Sequence, residues 1–248
     1  MTRRGWPWPP LFSHRCGGQL APENTLEAMA VAAEFGTGVE FDVMLSADGT
    51  PHLIHDETLD RTTDGHGRVS DTHDAALATL DASAGFDRFR GAQIPLLSDA
   101  ARRCRELGLA ANVEIKPTAG RDRHCGARIA EVVQQCWAGS ETPPLLSSFS
   151  EAALAAAREV APDLPRGLLT GALPTDWAER CTRIGAISLH VDARHLTRQA
   201  CATIRQAGLW LVAYTEDDPQ RADALLAWGV NAVITDRPDR LRARSGHS

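Results

Sequence analysis

Residues 24–43 read NTLEAMAVAAEFGTGVEFDV, and the order of signals in this stretch decides the architecture. Leu26, Met29, Ala30 and Ala33 recur at helical spacing on one face, Asn24 with Glu27 three residues on gives a capping signal, and Gly36 supplies a stop. A β-rich run, 38–43, follows directly. The same unit of helix, glycine and short strand recurs down the chain. Gly108 stands before 110–116, Gly185 before 186–191, Gly208 before 209–215 and Gly229 before 231–235. Asp218-Pro219 opens the last long helix with proline at the first helical position. Alternation of this kind predicts a parallel sheet covered by helices. Adding the runs 11–15, 145–149 and 166–170 brings the strands to eight, the number of a (β/α)8 barrel.

A chain of 248 residues is of the size such a barrel takes as one domain, 1–248. A further run, 52–55, follows the second strand too closely for a parallel crossover, so it reads as a hairpin partner. Asp48-Gly49 is a favoured two-residue turn. Centring the register there sets Ala47 against Thr50, Leu45 against His52 and Asp42 against His55. Residues 57–95 are polar and glycine-rich and read as an insertion over the barrel mouth, where long loops serve a site.

The formal net charge of −6, from 26 basic and 32 acidic side chains without a basic run, argues against nucleic acid as a partner. Pro7, Pro9 and Pro10 interrupt the N-terminal stretch before it reaches signal-peptide length, and no run of about 18 apolar residues offers a membrane span. The six cysteines form no Cys-x-x-Cys pair and several lie on apolar helical faces, which fits a reduced, cytoplasmic setting rather than structural zinc. The polar tail from Arg240 is expected to fray.

In a β/α barrel the chemistry sits at the C-terminal strand ends. Those ends carry His14-Arg15, Glu40-Phe41-Asp42, His55-Asp56 and Glu114-Ile115-Lys116. Strand alternation puts Glu40 and Asp42 on one face, and Glu114 and Lys116 on one face. Three carboxylates at one level repel each other unless a cation joins them, and all-oxygen donors favour Mg²⁺ or Ca²⁺. The plainer alternative is a set of salt bridges with Arg15 and Lys116. Lys116 is the only lysine in the chain, which points to a task for a compact ammonium such as holding a phosphate oxygen. His14 and His55, expected on either side of the strand bearing Glu40 and Asp42, suit general acid and base work. Among the other histidines, His190 is the best placed to meet a substrate.

These residues, with Pro22-Glu23-Asn24-Thr25, Arg61-Thr62-Thr63, Ser147-Ser148-Phe149 and Thr235-Asp236, resemble the glycerophosphodiester phosphodiesterases, most closely the cytoplasmic bacterial type. The resemblance runs from about Phe12 to Pro238. It implies a TIM barrel of the phospholipase C-like phosphodiesterase type with a small insertion near the mouth. It also implies catalytic histidines at His14 and His55, metal carboxylates at Glu40, Asp42 and Glu114, and phosphate contacts at Arg15 and Lys116. The implied cofactor is Mg²⁺ or Ca²⁺ and the implied partner a small glycerophosphodiester, cleaved to glycerol 3-phosphate and an alcohol. Two positions depart from the family pattern. Cys16 stands where a glycine usually follows the His-Arg pair, so the first loop is expected to shift or the pocket to fill slightly, and Tyr214 stands where tryptophan is often found. A lyso-phospholipid phosphodiesterase would need an apolar lining on the insertion, whose only aromatics are Phe86 and Phe89. A non-catalytic phosphate-binding module would have no use for the acid/base pair.

Overall fold

The computed structural model describes residues 5–241. Eight parallel strands close a barrel: β1 (Leu11–Ser13), β2 (Gly38–Leu45), β4 (Ala111–Ile115), β5 (Leu145–Ser148), β6 (Arg166–Thr170), β7 (Ser188–Asp192), β8 (Trp210–Tyr214) and β9 (Ala232–Thr235). Closure comes from β1, which pairs with β9 through Leu11↔Val233 and with β2 through Phe12↔Gly38. Seven helices cover the outside: α1 (Leu26–Glu34), α3 (Leu97–Leu107), α4 (Asp122–Cys136), α5 (Glu151–Val160), α6 (Trp177–Ile184), α7 (Arg198–Gln206) and α8 (Pro219–Ala227). The short β3 (Pro51–Leu53) and the single-turn α2 (Asp74–Leu77) belong to the excursion between β2 and α3. The expected fraying from Arg240 concerns residues that, from 242 on, lie outside those described.

Alternation along the strands sorts the apolar side chains into two layers. Phe41 and Val43 of β2, with Val113 and Ile115 of β4, face outward into a core shared with Met29 of α1 and Ile129 of α4. Inside the barrel, Phe12, Leu145, Val212 and Ile234 meet Trp8. Trp6, Trp8 and Trp210 stack edge to face with centroids 4.7 to 5.7 Å apart, and Trp8 Nε1 donates to the Pro143 carbonyl at 2.9 Å. Because Trp210 begins its strand, these rings close the N-terminal end, and only the C-terminal end is left open to carry a site.

Two sequence expectations change here. The Asp48-Gly49 turn is one residue longer than a two-residue loop: the register is Leu45↔Pro51, Met44↔His52 and Val43↔Leu53, and Ile54 N donates to the Asp42 carbonyl at 3.1 Å. Gly49 takes a left-handed φ of 76°, the extra residue of a three-residue hairpin loop. His55 therefore lies one position past the partner of Asp42. Asn24 does not cap α1. Its φ is 56°, and the cap is Thr25, whose hydroxyl accepts from Ala28 N at 3.2 Å.

The segment after β3 has a small core of its own, in which Leu59, Val69, Leu77 and Ile94 pack on Met44 and Ile54. Elsewhere the helices pack tightly. Gly126 sits inside α4, and a Cβ there would lie 2.1 Å from the Ala153 carbonyl oxygen of α5. Exposed helix glycines gain about 1 kcal/mol on replacement by alanine, but here the backbone contact reverses the sign. Gly126→Ala is expected to destabilise the protein by about 1–3 kcal/mol, read as a lower melting temperature; a rise would show that the two helices have room to separate.

Candidate active site

β2 is eight residues long, and its two edges are used differently. One edge pairs with β4 from Val39 to Val43. The other pairs first with β1, at Gly38 and Val39, and then with β3, at Val43 to Leu45. His14 and His55 therefore come from the same edge of β2, not from either side of it. Between them β1 has ended, and the chain turns away through left-handed φ at Arg15 (48°) and Cys16 (74°). That turn is held by β2 itself: Cys16 N donates to the Glu40 carbonyl at 2.8 Å and Arg15 N to Glu40 Oε2 at 3.0 Å. A glycine would adopt the Cys16 conformation freely. Cys16 instead directs a fully buried thiol into the core behind β2, so it takes no room at the mouth.

The vacated edge is completed by Asn24. Its Oδ1 accepts from Asp42 N at 3.1 Å and its Nδ2 donates to Asp42 Oδ2 at 3.0 Å, so one amide stands in for a strand and aims the carboxylate. Asparagine is among the few residues that take a left-handed backbone readily, which is why it can occupy this corner.

Glu40, Asp42 and Glu114 offer oxygens that all lie within 4.8 Å of one another. Glu40 and Asp42 are buried, and the Glu114 side chain is 12% exposed. Burial and the neighbouring Asp42 push Glu40 up to about 7; burial, Asp42 and Glu40 push Glu114 well above the carboxylate range. The two cations nearby do not resolve the repulsion. Lys116 Nζ stands 4.0 Å from Asp42 and 3.7 Å from Glu114, and Arg15 Nε stands 3.8 Å from Asp42. Glu40 Oε1 and Glu114 Oε1 are buried without a hydrogen-bond partner. Unpartnered hard oxygens converging on one point are the donor set of a divalent cation, and the residues fit such an ion.

Each histidine is oriented by an acid. His14 Nδ1 is 2.7 Å from Asp236 Oδ1, and its Nε2 is 4.0 Å from Glu40. Burial lowers its basicity, but the Asp236 bond and the charges of Glu40 and Asp236 outweigh this and raise it to about 9. His55 Nδ1 is 2.6 Å from Asp56 Oδ1, and its Nε2 is 3.1 Å from Lys116 Nζ. Burial, with Lys116 and Arg15, outweighs Asp42 and Asp56 and sets His55 below its ordinary value.

A cavity of about 400 Å³ opens beside these groups, lined by His55, Glu114 and Lys116 on one side and by Met44, Pro117 and Phe149 on the other. Tyr214 stands edge-on to Phe149 at 6.1 Å and donates to the Thr170 carbonyl at 2.8 Å. A larger cleft, about 510 Å³, lies on the outer side of the hairpin between the inserted segment, α1 and α3, away from this cluster. His190 does not reach the mouth. It is fully buried inside the barrel, 3.1 Å from Ser188 Oγ, and burial holds it down at about 3. His14, Arg15, Glu40, Asp42, His55, Glu114 and Lys116 thus meet at one end of the barrel and His190 does not join them, whereas the sequence offers Asn24 as a helix cap and Asp56 and Asp236 as parts of motifs, none of them as a support.

A barrel mouth that joins carboxylates able to hold a divalent cation, two cationic side chains and two oriented imidazoles has the parts of a phosphodiester hydrolase. The chain belongs to the glycerophosphoryl diester phosphodiesterase family, whose family model matches residues 14–240. It is similar to a glycerophosphodiester phosphodiesterase of Caldanaerobacter subterraneus subsp. tengcongensis, with 30% identity over 93% of this chain and 95% of the relative. Among solved structures it is similar to an Oleispira antarctica phosphodiesterase in complex with the product sn-glycerol-3-phosphate, with TM-score 0.91, 35% identity, and 95% and 96% of the two chains covered. A glycerophosphodiester phosphodiesterase from Agrobacterium tumefaciens superposes with TM-score 0.78 at 30% identity over 94% and 98%.

The raised groups make stability depend on pH in one direction when a chelator is present. Glu40 binds a proton in the fold but not in the unfolded chain between 4.5 and about 7, and His14 does so between 6.5 and about 9. His55 and His190, held below their ordinary 6.5, act in the opposite direction below that value, so the net loss of stability with rising pH falls above it. Melting temperature in chelator should fall from about pH 7 to about pH 9, and Glu114→Gln should raise it near neutrality by removing a carboxyl whose ionisation the fold disfavours. A flat profile with an unstable Glu114→Gln variant would mean that the cluster is not under repulsion.

Proposed function

We propose that this enzyme hydrolyses glycerophosphodiesters to glycerol 3-phosphate and an alcohol, with Glu40, Asp42 and Glu114 holding Mg²⁺ or Ca²⁺. The observation that carries the reading is the convergence of buried carboxylate oxygens without hydrogen-bond partners and two acid-buttressed imidazoles at one end of the barrel, where a cavity opens beside His55, Glu114 and Lys116. The product complex of the Oleispira antarctica relative supports the choice of substrate. When bound, a divalent cation would supply positive charge to a phosphoryl oxygen.

The chain's own groups do the rest. Arg15 and Lys116 bind the anionic phosphoryl oxygens. His55 donates Nδ1–H to Asp56, so its lone pair is on Nε2, where it accepts from Lys116 Nζ at 3.1 Å; once that ammonium turns to the phosphoryl oxygens, Nε2 takes the proton of the attacking hydroxyl, from water or from the neighbouring glycerol hydroxyl. His14, with carboxylates at both nitrogens, is kept protonated and delivers its proton to the leaving alkoxide as the P–O bond breaks. Asp236 and Asp56 fix the two tautomers. The same residues, without a reaction to perform, would make a costly phosphate-binding module, since three buried carboxylates oppose anion binding.

Glycerol 3-phosphate release from glycerophosphocholine tests the reading. Excess chelator should abolish it and Mg²⁺ or Ca²⁺ should restore it; full turnover in chelator would remove the cation from the mechanism. His14→Ala and His55→Ala should each lower kcat by about 10²–10⁴-fold and combine less than additively. Near-normal kcat in either would contradict the acid/base pair. Lys116→Arg should impair turnover although charge is kept, because a planar fork cannot replace a compact ammonium 3.1 Å from His55; unchanged kinetics would leave Lys116 without a special role.

A further inference from the structure

His55 and Arg15 are joined through Asp56, Arg61 and Glu23, a chain of charged groups in which Arg61 and Glu23 have no part in the mechanism above. The Asp56 carboxylate that accepts from His55 at 2.6 Å also accepts from Arg61, through Nε at 2.6 Å and Nη2 at 3.0 Å. The other edge of the Arg61 guanidinium meets Glu23, through Nη1 at 2.7 Å and Nη2 at 2.8 Å. Glu23 in turn accepts from Arg15 Nη1, 3.0 Å from each oxygen. Asp56 and Arg61 belong to the segment after β3, and Glu23 to the loop between β1 and α1. Arg61 is the piece that bridges them.

We propose that Arg61 is a positioning residue, which holds the His55 imidazole and the Arg15 guanidinium in one fixed geometry across the mouth by gripping Asp56 and Glu23 at the same time. The inference rests on the roles proposed above for His55 and Arg15. Arginine is the side chain whose planar fork presents donors along two edges, and both edges are occupied here. A lysine ammonium could satisfy one carboxylate but not lock the pair. Arg61 also pushes Asp56 well below the usual carboxylate range, so the acceptor of the His55 proton stays ionised.

The location separates positioning from stability. The Arg61 side chain is 48% exposed, and exposed ion pairs contribute little to folding. A misplacement of reacting groups by about 1 Å, by contrast, costs about 10²-fold in rate. Arg68 gives a matched control, since its side chain is 50% exposed and its ion pair with Glu57, at 2.6 Å, stays within the inserted segment.

The test compares kcat, KM and melting temperature for Arg61→Ala, Arg61→Lys and Arg68→Ala on glycerophosphocholine, with Arg61→Ala repeated in a Glu23→Gln/Asp56→Asn background. Arg61→Ala should lower kcat by about 10–10²-fold with a melting shift of no more than about 4 °C. Guanidinium ion should restore part of the loss, Arg61→Lys should not, and Arg68→Ala should keep the parent kcat. In the Glu23→Gln/Asp56→Asn background the further loss should be under about threefold, because the partners are already gone. Parent kcat in Arg61→Ala, its full loss repeated in that background, or an equal loss in Arg68→Ala would overturn the proposal. Arg15→Ala and His55→Ala tell the two levels apart. If they retain turnover, the reading of the site fails and this inference with it; if they lose turnover while Arg61→Ala does not, only the inference fails.

Discussion

Repulsion among three carboxyl groups with oxygens within 4.8 Å of one another, at the inner end of β2 and β4, is the constraint around which the mouth is built. Such a cluster is costly in the fold unless its charges are neutralised by protons or by a cation. The neighbouring side chains moderate that repulsion without cancelling it. Lys116 and Arg15 stand 3.7 to 4.0 Å away from the carboxylates, near enough to moderate the field but too far to saturate the oxygens. The barrel is otherwise sealed, with three tryptophans at its N-terminal end, so the strained charge distribution is concentrated at the one opening.

The shape of β2 explains how so many polar groups reach that opening from separate segments. β1 contributes a three-residue strand and then leaves, while β2 continues for eight residues. The exposed backbone of its upper half is taken over by the turn at Arg15 and Cys16, by the Asn24 amide and by the hairpin strand. Each of these brings one functional group with it: the turn carries His14 and Arg15, the amide fixes Asp42, and the strand after the hairpin delivers His55. Completing a sheet edge and assembling the site are thus the same structural event. The family's match over residues 14–240 spans all of these pieces.

The barrel was legible because helix stops and β-rich runs alternate at regular intervals, and the strand 166–170 has the bounds that its β-rich composition implies. Strand alternation puts Glu40 with Asp42, and Glu114 with Lys116, on shared faces, and the chemistry of a barrel's C-terminal strand ends sets where those faces point. What the sequence could not convey is three-dimensional bookkeeping of backbone donors. Asn24 looks like a helix cap because its amide could bond either way, and only the proximity of the unpaired Asp42 N–H decides the matter. The hairpin register depended on whether Gly49 forms the turn or adds a left-handed residue to it. His190 lies on a strand near the mouth in sequence, yet its ring is folded into the space that Gly167 leaves open below, where a Cβ would stand 2.3 Å from Nε2. Salt links such as Arg61 to Glu23, 38 residues apart, leave no local signal at all.

Crystals soaked in Mn²⁺ with glycerol 3-phosphate, examined by anomalous scattering, would test the central claim most directly. One strong peak is predicted at the oxygens of Glu40, Asp42 and Glu114, with the phosphate against Arg15 and Lys116 and between the His14 and His55 rings. No peak there, or a peak only in the outer cleft beside Asp74 and Asp99, would contradict the account.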